Sequence, residues 1–127
     1  MKLYDYFEEN QGIGVLATAD SEGKVSGALY ARPHFTDDQT AVFIMGDRLT
    51  HKNVSSNPHA AYIFIESRPG YHGKRLHLTK ERELEDPDFI DGLRRRRCGT
   101  CAEASYSPKY VAFFHVDKEL PLVGSGD

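Results

Sequence analysis

Arg48-Leu49-Thr50-His51-Lys52-Asn53-Val54 carries the strongest chemical signal in the sequence. It falls between a predicted strand and a short predicted helix. Thr50 is read as the N-cap, with Leu49 and Val54 in the two positions of a hydrophobic staple. Amides of a first helical turn have no acceptor inside the helix. Beside the Lys52 ammonium they form an anion-binding arrangement of oriented donors, the positive end of the dipole and a mobile cation. The same residues also describe an ordinary capped helix with a solvated lysine. Arg32 strengthens the anion reading. It shares a predicted strand face with Tyr30 and His34, flanked by apolar positions, where a guanidinium is costly unless it meets a carboxylate or a phosphate. Glu66 and Glu83 are the candidate carboxylates. With phosphate instead, Arg32 and Lys52 together neutralise a phosphomonoester dianion, each charged bond contributing on the order of 1.5–3 kcal/mol.

Other reactive residue types are weaker signals. Cys98-Gly99-Thr100-Cys101 has the spacing of a redox pair. Cys98, however, is expected to follow a helix C-terminus, whose dipole raises a thiol pKa, although four preceding arginines pull the other way. Structural thiols are the expectation. Zinc needs two further ligands from the scattered His77 or His115, so no metal site is expected. The run Arg94 to Arg97 reads as a basic helix end satisfying carbonyls, with an acidic partner as the alternative. His34, His51 and His72 are placed to line a slot, against the plainer reading of surface histidines. No Ser–His–acid, paired-carboxylate or Cys–His arrangement offers a catalytic engine, and the catalytic residues are left unassigned.

These residues need elements to position them. Leu3 to Gln11 reads as a short helix, Ile13 to Ala19 as a strand, and Asp20-Ser21-Glu22-Gly23 as a turn in which Gly23 takes positive φ. Lys24 to Phe35 alternates as one strand, with Val25, Gly27, Leu29, Ala31, Pro33 and Phe35 on one face. Pro33 lacks a donor, so this part belongs at an edge or bulge. Thr40 to Met45 is a strand, Thr50 to Asn57 a helix stopped by Pro58, and Ala60 to Glu66 an apolar strand. Tyr71 to Leu84 is one long strand with Leu76 and Leu78 inward. Asp86 caps a helix through Phe89, Ile90 and Leu93, with Pro87 in its first turn. Cys98 to Pro108 is a loop, and Tyr110 to Val116 is the last strand. Six strands and about three short helices predict a mainly β fold, a small closed antiparallel barrel of Greek-key type.

Composition bounds the function. The 127 residues suit a single domain over 1–127, large enough for a real core. A net charge of −3, from 16 basic and 19 acidic residues, argues against a general nucleic-acid surface. Seven Tyr and seven Phe without Trp favour β-structure and grips on flat rings. Met1 to Asn10 holds three acids and no apolar run, and no stretch approaches a membrane span, so a cytoplasmic protein is expected.

Gly14-Val15-Leu16-Ala17-Thr18, the Gly23 hairpin, Tyr30-Ala31-Arg32-Pro33, Thr50-His51-Lys52-Asn53 leading to Asn57-Pro58, and a strand beginning near Gly73 come in a telling order. By that order and spacing, over nearly its whole length, the chain resembles the pyridoxamine 5′-phosphate oxidase-like family of FMN-binding split barrels. It is closer to the short members than to the named oxidase. The resemblance implies FMN across the interface of a homodimer. Its phosphate is then expected at Arg32 or Arg48 with Thr50 and Lys52. Its ring edge is expected against the main chain of Tyr30, Ala31, Arg32 and Pro33, and near Met45, Gly46 and Leu49. The second subunit is expected to close the slot with Tyr71, His72 or Tyr110. The implied activity is a flavin oxidoreductase with an unknown substrate and a small-molecule or nicotinamide electron donor. The alternatives are a non-enzymatic FMN carrier for electron transfer or storage, and a relative holding haem or a deazaflavin. A true pyridoxamine 5′-phosphate oxidase is not expected. That enzyme needs a second phosphate cluster, and His115 to Asp127 offers one Lys and no Arg.

Overall fold

A computed structural model describes residues 2–98 and 110–124, and for residues 94–98 the backbone alone. In chain order the elements are α1 (Leu3–Glu9), β1 (Gly12–Ala19), β2 (Val25–Leu29), β3 (His34–Asp37), β4 (Thr40–Met45), α2 (Leu49–Ser56), β5 (His59–Glu66), β6 (Gly73–Leu84), α3 (Pro87–Cys98) and β7 (Tyr110–Pro121). All strands pair antiparallel in one sheet of order β2-β1-β5-β6-β7-β4-β3. Strands β4 to β7 follow a Greek-key order, with α2 and α3 inside its connections.

Among the described residues the sheet has seven strands, not six, and its ladder is not closed. Both corrections come from one place. The segment expected as a single strand, Lys24 to Phe35, breaks at Tyr30–Pro33. Tyr30 leaves the β1 ladder with its N–H donated to the Gly14 carbonyl at 3.0 Å, and its own carbonyl accepts the Tyr62 hydroxyl at 3.0 Å. Pro33 has no N–H to extend a ladder. The chain therefore crosses from β2, one edge of the sheet, to β3, the other edge. Leu29 to His34 reaches at most about 18 Å extended, whereas seven flat strands would hold their edges roughly 29 Å apart. The sheet must curl almost into a barrel and stay split between β2 and β3.

Curling creates two cores. Inside lie Leu16, Phe43, Met45, Tyr62, Phe64, Leu76, Leu78 and Phe114, capped by Leu3, Tyr6 and Phe7 of α1 and Val54 of α2. Outside, Val42, Val111 and Phe113 pack against Ile90 and Leu93 of α3. β4 is covered on both faces, which is why Thr40 to Met45 shows no polar alternation. Asp86 caps α3 as expected, its Oδ1 accepting the N–H groups of Asp88 at 3.1 Å and Phe89 at 3.2 Å. Among the described residues no helix is long and apolar enough to cross a membrane.

Several boundaries move. β7 runs to Pro121 rather than Val116, so Lys118 stands in a strand opposite His77. β6 starts at Gly73, leaving Tyr71 and His72 in the preceding loop. α3 continues through Arg94–Arg97 to Cys98, and Gly99 to Pro108 lies outside the described residues, as does any statement on the Cys98 and Cys101 thiols. On β2 the alternation holds, yet its more apolar set faces out. Val25 is 83 % exposed and Leu29 76 %, and Ile13 and Ile65 continue this uncovered stripe across β1 and β5.

Candidate functional site

α2 starts earlier than the sequence suggests. The Arg48 N–H closes a turn on the Gly46 carbonyl at 3.0 Å, which leaves Arg48 as the extended N-cap residue. Thr50 is therefore inside the first turn and buried, not the cap. The staple is absent as well, since Leu49 points to solvent while Val54 enters the core. The first intrahelical bond runs from the Lys52 N–H to the Arg48 carbonyl at 3.0 Å. The amides of Leu49, Thr50 and His51 precede it, and the exposed Lys52 follows directly.

Side chains strap this helix on two sides. Toward β1, Asn53 Nδ2 donates to Thr18 Oγ1 at 3.0 Å in a buried contact. Toward β6 and β7, His51 Nε2–H donates to both carboxylate oxygens of Glu83 at 3.0 and 3.1 Å. The His51 ring stacks on Tyr110 with centroids 3.7 Å apart and planes 4° from parallel. Tyr110 pairs with Met45 in the β4–β7 ladder, so Met45, Gly46, Arg48 to Lys52 and Tyr110 converge at one end of the sheet.

Tyr30 reaches the inner side of this end. Its ring meets Phe43 edge-on at 6.0 Å, two residues before Met45. Beneath it, Gly14 allows Tyr62 to pass and bond the Tyr30 carbonyl. Arg32 behaves differently from the expectation of a phosphate ligand standing ready. Its Nη1 donates to the carbonyls of Phe7 at 2.7 Å and Asn10 at 2.9 Å, which serves the C-terminal end of α1. The two carboxylates considered as its partners have other partners: Glu66 accepts from Tyr6 and Arg68, Glu83 from His51 and Lys80.

No family profile and no curated protein matches the sequence. Solved structures do match. An FMN-binding protein from Syntrophomonas wolfei superposes with a TM-score of 0.79 at 17 % identity, covering 97 % of this chain and 85 % of its own. A candidate pyridoxamine 5′-phosphate oxidase from Lactobacillus delbrueckii gives 0.66 at 16 % identity, covering 93 % and 89 %. This chain has the fold of the pyridoxamine 5′-phosphate oxidase-like, FMN-binding split barrels. The haem storage protein HutZ from Vibrio cholerae is similar too, with a TM-score of 0.62 at 14 % identity over 98 % of this chain and 93 % of its own. A split barrel of this kind is therefore compatible with more than one cofactor.

Within the split barrel, the expected site residues fall into three groups. Met45, Gly46, Arg48, Leu49, Thr50, Lys52 and Tyr110 come together around α2. Tyr30 to Pro33 form the link across the split, where no ladder consumes the backbone of Ala31. Tyr71 and His72 stand apart from α2, on the side of that link: the His72 carbonyl accepts the Glu66 N–H at 2.8 Å, and Glu66 pairs with Gly12, two residues before the Gly14 that holds Tyr30. Tyr71 and His72 precede the first residue of β6, whereas Glu83 is near its far end, roughly 33 Å further along the strand. Tyr110, expected from the second subunit, stacks on its own chain's His51. Sequence reasoning missed Tyr62 and Lys80. Tyr62 has no local signal, since it acts on a residue brought up by the sheet, and Lys80 meets Glu83, three residues on in the same strand, only because the β6–β7 register slips between them.

Electrostatics at this end are balanced rather than strongly basic. Burial pushes the Glu83 carboxyl up, but hydrogen bonds from Lys80 and His51 and their charge outweigh it and hold it below the ordinary glutamate range. A carboxyl depressed in the fold stabilises it above the unfolded pKa, and that stability is lost as pH falls through the folded value. The stability gap between wild type and Glu83→Gln should thus be widest near neutrality and shrink below about pH 4. Thermal melts from pH 7 to 3 check this, and a constant gap contradicts it. Among the described residues no three metal-ligating side chains converge.

Proposed function

We propose that the chain binds FMN at the α2 end of the split barrel and works as a flavin-dependent oxidoreductase in a homodimer. Lys52, with the amides of Leu49, Thr50 and His51, holds the phosphate, and Arg48 adds charge at the rim. The main chain of Tyr30 to Pro33 and of Met45 and Gly46 meets the ring edge. What supports this most is a single arrangement: an exposed lysine directly after the first-turn amides of a helix whose start is fastened to the sheet. The fit is partial at Arg32, already engaged at α1, and at Thr50, which is buried. When bound, the flavin supplies the electron chemistry. The chain's own residues bind the phosphate, orient the ring and restrict water.

The second copy is supported by the uncovered stripe of Ile13, Val25, Leu29 and Ile65, an apolar face that a cytoplasmic monomer would leave in water. Tyr71, 84 % exposed in the loop before β6, is a further aromatic side chain left for a partner to cover. Titration with FMN should saturate near one per subunit while light scattering reports a dimer. A flavin-loaded monomer at micromolar concentration contradicts the interface. Bleaching of the bound flavin by NADH or NADPH would separate an oxidoreductase from a passive carrier. The likeness to HutZ favours haem as the competing cofactor, and haem displacing FMN stoichiometrically would replace this reading.

A further inference from the structure

The register of β6 against β7 slips near the α2 end. Lys80 stands opposite Phe114 and Arg82 opposite Phe113, so Glu81 is an extra residue. In a regular strand, residues three apart point to opposite faces. The bulge instead turns both Lys80 and Glu83 inward, where they pair, while Arg82 turns outward onto the ring of Phe113, 3.9 Å from its centroid. His51 then reaches the same carboxylate from α2. The side chains of His51 and Lys80 are each only 12 % exposed, and that of Glu83 29 %. Such a cluster is costly to desolvate, and removing one partner leaves the others with an uncompensated charge.

α2 needs that geometry. It is eight residues long with no side-chain N-cap bond. Its last turn is weakened by Ser55 and Ser56, whose hydroxyls donate back to the His51 and Asn53 carbonyls. An isolated helix of this length has little stability of its own, so its direction is set by what holds it. We infer that His51 and Glu83 are positioning residues: their bond, backed by the Tyr110 stack and the bulge-placed Lys80, fixes the first turn of α2 and hence Lys52. This rests on the phosphate placement proposed above. Lys80 has a second part in the arrangement, because it neutralises a carboxylate that would otherwise repel a nearby phosphate.

The test compares FMN with riboflavin, which lacks the phosphate, by flavin fluorescence quenching. His51→Phe keeps a ring on Tyr110 but removes the donor to Glu83. It should weaken FMN about fivefold or more and riboflavin less than about twofold. Glu83→Asp keeps the charge, shortens the reach and should give the same selective loss, which keeps the test open if one variant melts before binding can be read. Combining the two should be little worse than the worse single variant, because both break one contact. Proportional losses of both ligands, or no loss, in the folded variants overturn the positioning role. Lys52→Ala serves as the reference in the same assay. If Lys52→Ala is selective and His51→Phe and Glu83→Asp are not, only the positioning role falls. If Lys52→Ala is itself unselective, the phosphate placement falls first and the positioning role with it.

Discussion

Lys52→Ala should raise the Kd for FMN at least about tenfold while changing that for riboflavin little. The lysine is exposed on the first turn of α2, so removing it costs the fold almost nothing. On the proposed placement it removes one charge-assisted bond to the FMN phosphate, and a tenfold loss corresponds to about 1.4 kcal/mol, at the low end for such bonds. Riboflavin never makes that bond. Arg32→Ala should behave in the opposite way. Its guanidinium serves the carbonyls of Phe7 and Asn10, so the variant should lose stability first, by about 1.5–3 kcal/mol for bonds to a charged donor. Isothermal titration with both ligands, beside urea melts, separates the two cases. Equal losses of FMN and riboflavin in Lys52→Ala would mean that the phosphate lies elsewhere.

A second large effect is expected at Gly14, far from any charged group. A Cβ there would stand 1.8 Å from the Tyr62 hydroxyl and 2.3 Å from its ring carbon Cζ. Tyr62 has nowhere to retreat. It is fully buried, with Phe43 at 5.1 Å and Phe7 at 6.2 Å between ring centroids. Moving it also leaves the Tyr30 carbonyl without its donor, at the point where the chain leaves the β1 ladder to cross the split. Gly14→Ala should cost about 3 kcal/mol or more, combining overpacking with a lost buried hydrogen bond. Gly27→Ala is the control, because a Cβ there meets only Val15 Cγ1 at 3.4 Å on the outer face. Urea denaturation should show a large loss for the first and nearly none for the second. Equal, small losses would mean that Tyr62 does not need the space that Gly14 leaves.

The sequence discloses what is settled by neighbours along the chain. The β1–β2 turn is one case: Asp20 Oδ1 accepts the N–H groups of Glu22 at 2.8 Å and Lys24 at 2.9 Å, and Gly23 takes φ +85°. The Asp86 cap and the strand Thr40 to Met45 are others. What stays hidden depends on distant partners. The break at Tyr30 needs Gly14 and Tyr62, and the pairing of Lys80 with Glu83 needs a register slip against β7. Which face of β2 turns outward is equally unreadable from alternation alone, because Val25 and Leu29 are the more apolar set and still face away from the core. The candidate site divides the same way. Lys52 and its neighbours are legible as a helix start, whereas the Tyr110 stack and the Glu83 anchor, 32 residues from His51, appear only once the sheet has formed.

If this split barrel holds FMN by its phosphate at α2, the purified protein carries FMN or takes it up. The most direct test is to release whatever the purified protein carries by heat, identify it by mass, and titrate the emptied protein with FMN. The expected result is released FMN, or FMN uptake approaching one per subunit. Haem, FAD or a deazaflavin in the released fraction, or a site that stays empty through the FMN titration, would contradict it.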